Sequence, residues 1–265
     1  MCHKTRRYTS DLTDARWKKL RPLLPLKTGG RGRPLEIDMR EAVNAMLYVV
    51  KTGCQWANLP SEFPAAGSVY YHYHKWCADG TWETINRALV YEVRRKLGRR
   101  PHPSGGLMDS QSSKTTHVGG AERGYDAGKK VKGRKRHLLT DTLGFILKVV
   151  VHSAAIQDRD GAKLLLLALL PIVSLRLLKI WADGGYRGEL IDWCQQQFQL
   201  VLEIVLPPAQ QHRFVLLPRR WVVERTFAWL DTYRRLSKDY EVSPRRSEGM
   251  IYIASIDLML KRLIA

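Results

Sequence analysis

Hydrophobic positions recur at helical spacing through roughly the first hundred residues and then change character. Leu12-Thr13-Asp14, followed by Trp17, Leu20, Leu23 and Leu24, predicts a short capped helix with one apolar face. The Gly, Arg and Pro of Lys27 to Pro34 predict a basic loop. A longer helix follows over about Asp38 to Lys51, with Ala42, Ala45, Met46 and Val49 on one side and Gly53 as its stop. Trp56, Leu59 and Pro60 read as a turn. Val69, Tyr70, Tyr73 and Trp76 place a helix over Ser68 to Trp76, and another is expected over Thr81 to Leu97. Short helices of this kind fit a helix-turn-helix arrangement that places one helix in a DNA groove. They fit equally an ordinary bundle whose aromatics are core.

Beyond a basic and then Pro/Gly-rich stretch, Arg94 to Gly106, the pattern becomes that of strands. Runs at Leu107 to Ser110, His137 to Asp141 and Phe145 to Val151 are apolar and β-like, the last two joined by a Thr142-Leu143-Gly144 hairpin. Helical and strand patterns then alternate through Ala162 to Leu170, Leu177 to Ala182, Glu189 to Phe198 and Leu200 to Leu206. Two late helices, about Arg219 to Leu236 and Glu248 to Leu263, flank Pro244. The expected organisation is a small all-α domain over 1–100 and a mixed α/β sheet flanked by helices over 101–265.

Composition narrows the function. At 265 residues and 45% hydrophobic the chain supplies a real core. Its 44 Lys and Arg against 25 Asp and Glu, a formal charge of +19, would self-repel without a polyanionic partner, so nucleic acid is the expected one. The greasiest stretch, Leu164 to Leu178, is broken by Pro171 and carries Arg176, so no membrane span is expected and the protein reads as soluble and cytoplasmic. Four scattered cysteines without a CxxC pair suit a reducing compartment.

In so basic a chain three acids stand out. Asp109 opens Asp109-Ser110-Gln111 after a strand, Asp183 closes a second strand before Gly184-Gly185-Tyr186-Arg187-Gly188, and Glu224 lies in a helical stretch after Trp221-Val222-Val223. Carboxylates at a cleft, completed by phosphate oxygens, suit Mg2+, or Mn2+ in its place. Two such ions roughly 3.5 to 4 Å apart activate an attacking oxygen and stabilise a leaving one in phosphodiester chemistry. Lys129, Lys130, Lys132, Arg134, Lys135 and Arg136, in the run ending at His137, are expected to contact phosphates beside the first of these strands. Cys54, His72, His74 and Cys77 match no zinc spacing and read as packing. Asp158 and Asp160 read as a helix cap and stay outside the site. Trp181, Trp193, Trp221 and Trp229 are open between core and base stacking.

The chain resembles the DDE transposases of bacterial insertion sequences along nearly its whole length. The matching stretches are Leu12-Thr13-Asp14, Thr52-Gly53-Cys54-Gln55-Trp56, Asp79-Gly80-Thr81-Trp82-Glu83, Asp109-Ser110-Gln111 and Val131 to His137. They continue with Gln157 to Ala162, Asp183 to Gly188 and Trp221 to Arg225. The resemblance implies a ribonuclease H-like catalytic domain and a metal-holding catalytic triad of Asp109, Asp183 and Glu224. It also implies that Arg220 is the arginine of the family's last signature, on one helix face with Glu224. Two positions depart from that signature: its tyrosine is Leu217 here and its lysine is Asp231, which leaves Arg234 or Arg235 to take the DNA-backbone role. The implied activity is Mg2+-dependent cleavage of double-stranded DNA at the element's terminal inverted repeats and strand transfer into target DNA. The implied assembly is a homo-oligomer on DNA. The readings from other classes are a non-catalytic DNA-binding relative and a metal-dependent nuclease without strand transfer.

Overall fold

A computed structural model of the chain describes residues 7–25, 37–120, 122–170, 176–206 and 219–264. The expected basic loop over Lys27 to Pro34 and the signature position Leu217 lie outside the described residues.

The first region is helical, as its periodicity requires. Thr13 accepts the Arg16 N–H to start α1 (Asp14–Leu20), and Asp38 accepts from Arg40 and Glu41 to start α2 (Met39–Thr52), two side-chain N-caps. Gly53, at a φ of 76°, ends α2 in the left-handed conformation that only glycine adopts without strain, and its N–H bonds Val49. α3 (Ala66–Ala78) turns Val69, Tyr73, Trp76 and Cys77 inward, and α4 (Thr81–Lys96) buries Trp82, Ile85, Leu89, Val90 and Val93.

The second region is a mixed sheet. β1 (Gly105–Lys114) pairs antiparallel with β3 (Val131–Asp141), which also pairs antiparallel with β2 (Gly124–Asp126) and with β4 (Ile146–Ser153). On the other side β1 runs parallel to β5 (Lys179–Ala182), and β5 to β6 (Val201–Ile204). α5 (Asp158–Leu167) packs on β3 and β4, α6 (Leu190–Phe198) on β6, and α7 (Arg220–Asp231) on β1 and β3. Parallel neighbours joined by helices, beside an antiparallel meander, make the expected mixed α/β sheet.

α8 (Pro244–Ile264) joins the two regions. It is buried on every side, through Met250, Ile251, Tyr252, Ile253, Ile256, Met259 and Leu260, and touches α2, α3, α4 and β4. Its polar side chains close the outer edge of β4: Glu248 accepts the Val151 N–H at 2.9 Å and the Tyr252 hydroxyl accepts that of Val149 at 3.3 Å. Packing therefore continues across residue 100. Arg94, read as linker, is buried at the end of α4 and pairs with Asp141, whose carboxylate also caps the β3–β4 hairpin at Leu143 and Phe145.

Several boundaries differ from expectation for local reasons. β1 continues four residues past Ser110, because β3 pairs with it along its whole length. Pro244 does not merely separate two helices; it opens α8, in the first turn, where a missing N–H costs nothing. The helix expected to run to Leu236 stops at Asp231, and a short 3-10 turn follows at Arg234–Leu236.

Candidate active site

Asp109 lies inside β1, and the register that sets Leu107 beside Trp181, continued two residues, brings it level with Asp183 just past the end of β5. The backbone fixes both carboxylates: Asp109 accepts the Ser110 N–H at 2.7 Å and Asp183 accepts the Gly185 N–H at 2.8 Å, capping the 3-10 turn Gly184–Tyr186. Arg220, the first residue of α7, stands 3.2 Å from Glu224 one turn along and 3.9 Å from Asp183, so its guanidinium lies between the second and third acids. Burial pushes the Asp109 pKa up to about 6. The negative charge of Asp183 adds to that, while the Ser110 N–H, Lys129 and Arg220 oppose it. Asp109, Asp183 and Glu224 thus come from three separated segments to one place, and Glu224 is half exposed. Among the described residues no three ligand side chains are drawn as close together as a finished metal cage.

The basic residues divide. Lys129, Lys130, Lys132 and Arg234 are exposed, and the Lys129 ammonium reaches back to donate to the Ser110 carbonyl at 3.0 Å. Arg134, Lys135 and Arg136, expected as phosphate contacts, are instead buried in the middle of β3. Arg134 donates to the carbonyls of Gly119, Glu122, Glu241 and Val242 beside Asp239, Arg136 to those of Leu236 and Lys238, and Lys135 to Ile156 and Asp158. Their charge is spent inside the protein. Arg235 is likewise buried, against Glu241 and the Cys54 carbonyl, so of the two candidates Arg234 is the exposed one.

Asp158, set aside as a cap, has another role. The cap position is Gln157, with no side-chain cap bond, and Asp158 accepts from the Ser110 hydroxyl and from Lys135, each at 2.8 Å. These bonds hold its pKa below the ordinary carboxylate value despite burial. Its place in Gln157-Asp158-Arg159-Asp160-Gly161, one of the quoted stretches, was the available signal. An open pocket of about 400 Å³ adjoins it, bordered by Asp126, Lys135, Arg159, Gly184, Gly185 and Arg187. Arg159 and Arg187 are exposed there, and no periodicity singled them out.

Elsewhere the tryptophans and cysteines resolve toward packing. Trp181 is buried and donates to Glu203, and Cys77 is buried in the helical region. Trp221 and Trp229 are half-buried, and the Arg225 guanidinium lies over both rings. No helix among the described residues is long and apolar enough to cross a membrane.

Comparison with known proteins agrees with this geometry. A family model described as "Transposase DDE domain" matches residues 100–259, and one described as "Putative transposase of IS4/5 family" matches residues 12–86. An "Insertion element IS402 uncharacterized 16.2 kDa protein" of Burkholderia cepacia is 32% identical over 89 residues, 31% of this chain and 60% of that protein. The "Putative transposase for insertion sequence element IS402" of the same organism is 32% identical over 115 residues, 41% of this chain and 54% of that protein. The chain thus spans less than two thirds of the length of either relative.

Proposed function

The chain belongs to the DDE transposase family, whose catalytic domain is ribonuclease H-like, and from that premise we propose that it cuts DNA at the terminal inverted repeats of an insertion sequence and joins the freed ends to target DNA. One observation carries the reading: strand pairing sets Asp109 level with Asp183, and Arg220 of α7 stands between Asp183 and Glu224.

The donor set fits Mg2+ or Mn2+, since all three side chains are hard oxygen ligands. Burial, and then the charge of Asp183, raise the proton affinity of Asp109, so a cation beside the two carboxylates would favour its ionised form. Asp109, Asp183 and Glu224 would hold the ion, which when bound supplies activation of the attacking oxygen and stabilisation of the leaving one. The protein's own part is placement. Arg220, partly exposed between Asp183 and Glu224, carries a guanidinium fork of the shape that grips a phosphate. Lys129, Lys130, Lys132, Arg159, Arg187 and Arg234 are the exposed cations that position the backbone. α3 offers Tyr71, His74 and Lys75 outward as a groove-reading face. Joining two ends calls for two sites, hence a homo-oligomer on DNA.

Asp231, exposed in the last turn of α7 where the family signature has lysine, favours a second reading, a DNA-binding relative that does not cut. A labelled DNA carrying the ends that flank the gene, with Mg2+ or with chelator, separates the two. Metal-dependent cleavage that Asp183→Ala abolishes, with end binding retained, is the expected result. Binding with no cleavage would establish the second reading.

A further inference from the structure

Four of the family-like stretches converge beneath the catalytic acids. The phenol of Tyr186, three residues after Asp183, is 1% exposed and lies 2.6 Å from Nε2 of His137. His137 is the cross-strand partner of Ser110, the neighbour of Asp109. Nδ1 of His137 lies 3.1 Å from Nε2 of His152, whose Nδ1 lies 2.9 Å from the Ser153 carbonyl. Ser110, next to Asp109 on β1, donates its hydroxyl to Asp158 at the start of α5. Gly161 completes the arrangement: a Cβ there would stand 2.5 Å from His152 and 2.6 Å from His137, so α5 closes on the two rings only because the residue is glycine.

The proton positions follow from one fixed end. A carbonyl only accepts, so His152 carries its proton on Nδ1 and accepts at Nε2. His137 then donates from Nδ1 and accepts at Nε2, and Tyr186 donates to it. Both rings are neutral in this scheme. Burial, and then the other ring, push the His137 pKa down to about 3, and burial lowers that of His152. All four ring nitrogens of His137 and His152 have partners, and the relay has a single direction.

We propose that this relay is a positioning device: it locks the loop that carries Asp183 onto the strand that carries Asp109, and so sets the spacing with which the two carboxylates meet a divalent cation. Tyr186, His137 and Ser110 are positioning residues and touch no reacting atom. The proposal rests on the metal-dependent reading above. Groups that orient metal ligands from behind change metal affinity by roughly 10- to 100-fold when removed.

The test is Mn2+ binding to the full chain, measured by titration calorimetry on wild type, Tyr186→Phe and Asp109→Asn, with thermal unfolding and DNA binding in chelator alongside. Tyr186→Phe removes one oxygen and keeps the ring. The expected result is that it stays folded, binds DNA in chelator as wild type does, and binds Mn2+ about tenfold more weakly. Wild-type Mn2+ affinity in folded Tyr186→Phe overturns the proposal. If that variant does not fold, Ser110→Ala, which removes only the hydroxyl that ties the strand of Asp109 to Asp158, must show weakened Mn2+ binding, and unchanged affinity there overturns the proposal equally. Equal Mn2+ binding by wild type and Asp109→Asn would instead bring down the metal reading itself, and the relay with it.

Discussion

Lys129, Lys130 and Lys132 differ from Arg134, Lys135 and Arg136 by a few positions along one basic run, and they end in opposite environments. The first three have exposed side chains, Lys129 and Lys130 just before β3 and Lys132 at its start; the last three are enclosed where β3 lies between β1 and β4. A cation in a central strand survives burial when main-chain carbonyls and an acid surround it. Arg134 meets four carbonyls and Asp239, whereas Lys132 is exposed and has no such partners among the described residues. Local charge density is thus a poor guide to the DNA surface, and strand pairing decides it.

The largest effect that sharpens this contrast is on stability. Arg134→Ala strips a buried donor from four carbonyls and leaves Asp239 without its cation, a change that typically costs about 3–5 kcal/mol. Urea unfolding should show that loss, which is enough to leave many domains largely unfolded. A cost within about 0.5 kcal/mol, as at an ordinary surface position, would break the distinction between the two halves.

Next in size is an acid whose burial is not matched in this way. Burial pushes the Asp109 pKa from the ordinary 3.8 up to about 6, so the folded chain holds this proton more tightly than the unfolded one. Stability from this group is therefore full below about pH 4 and is lost as pH rises toward 6 and beyond. Asp109→Asn removes that penalty. In chelator it should stabilise the protein at pH 7 by about 1–2 kcal/mol, less than the roughly two-unit shift would allow because Asp109 is partly exposed, with the gain shrinking toward pH 4. A gain that does not change with pH would contradict the burial argument.

These contrasts show what could be read ahead of the structure. The helices of the first region were legible from caps at Thr13 and Asp38 and the stop at Gly53, because those signals are local. Asp109, Asp183 and Glu224 stood out by their contexts; what the contexts did not show is that a parallel register sets Asp109 level with Asp183 and that Arg220 of α7 links Asp183 to Glu224. Arg134 to Arg136 were misread because pairing on both edges of β3 is a long-range event that a run of charges conceals. The same limit hid Asp158. A helix-start aspartate looks the same whether it caps its own helix or, as here, accepts from Ser110 on a strand 48 residues away in sequence. Pro244 was ambiguous in kind, since proline ends one helix and opens another equally well.

The smallest expected effect tests the exposed half. Lys132→Ala should leave unfolding within about 0.5 kcal/mol of wild type, since the side chain has no internal role to lose. Its effect should appear in DNA binding: each phosphate contact removed lowers the slope of log K against log salt by about one, so the variant should bind more weakly at low salt and with a flatter dependence. The loss should be the same for specific ends and for unrelated DNA, because a phosphate contact carries no base information. An unchanged slope would place the DNA path away from the β3 entrance and move the search to Arg159 and Arg187. A slope that falls together with stability would mean that Lys132 is structural after all, and the boundary between the two halves of the run would shift toward its start.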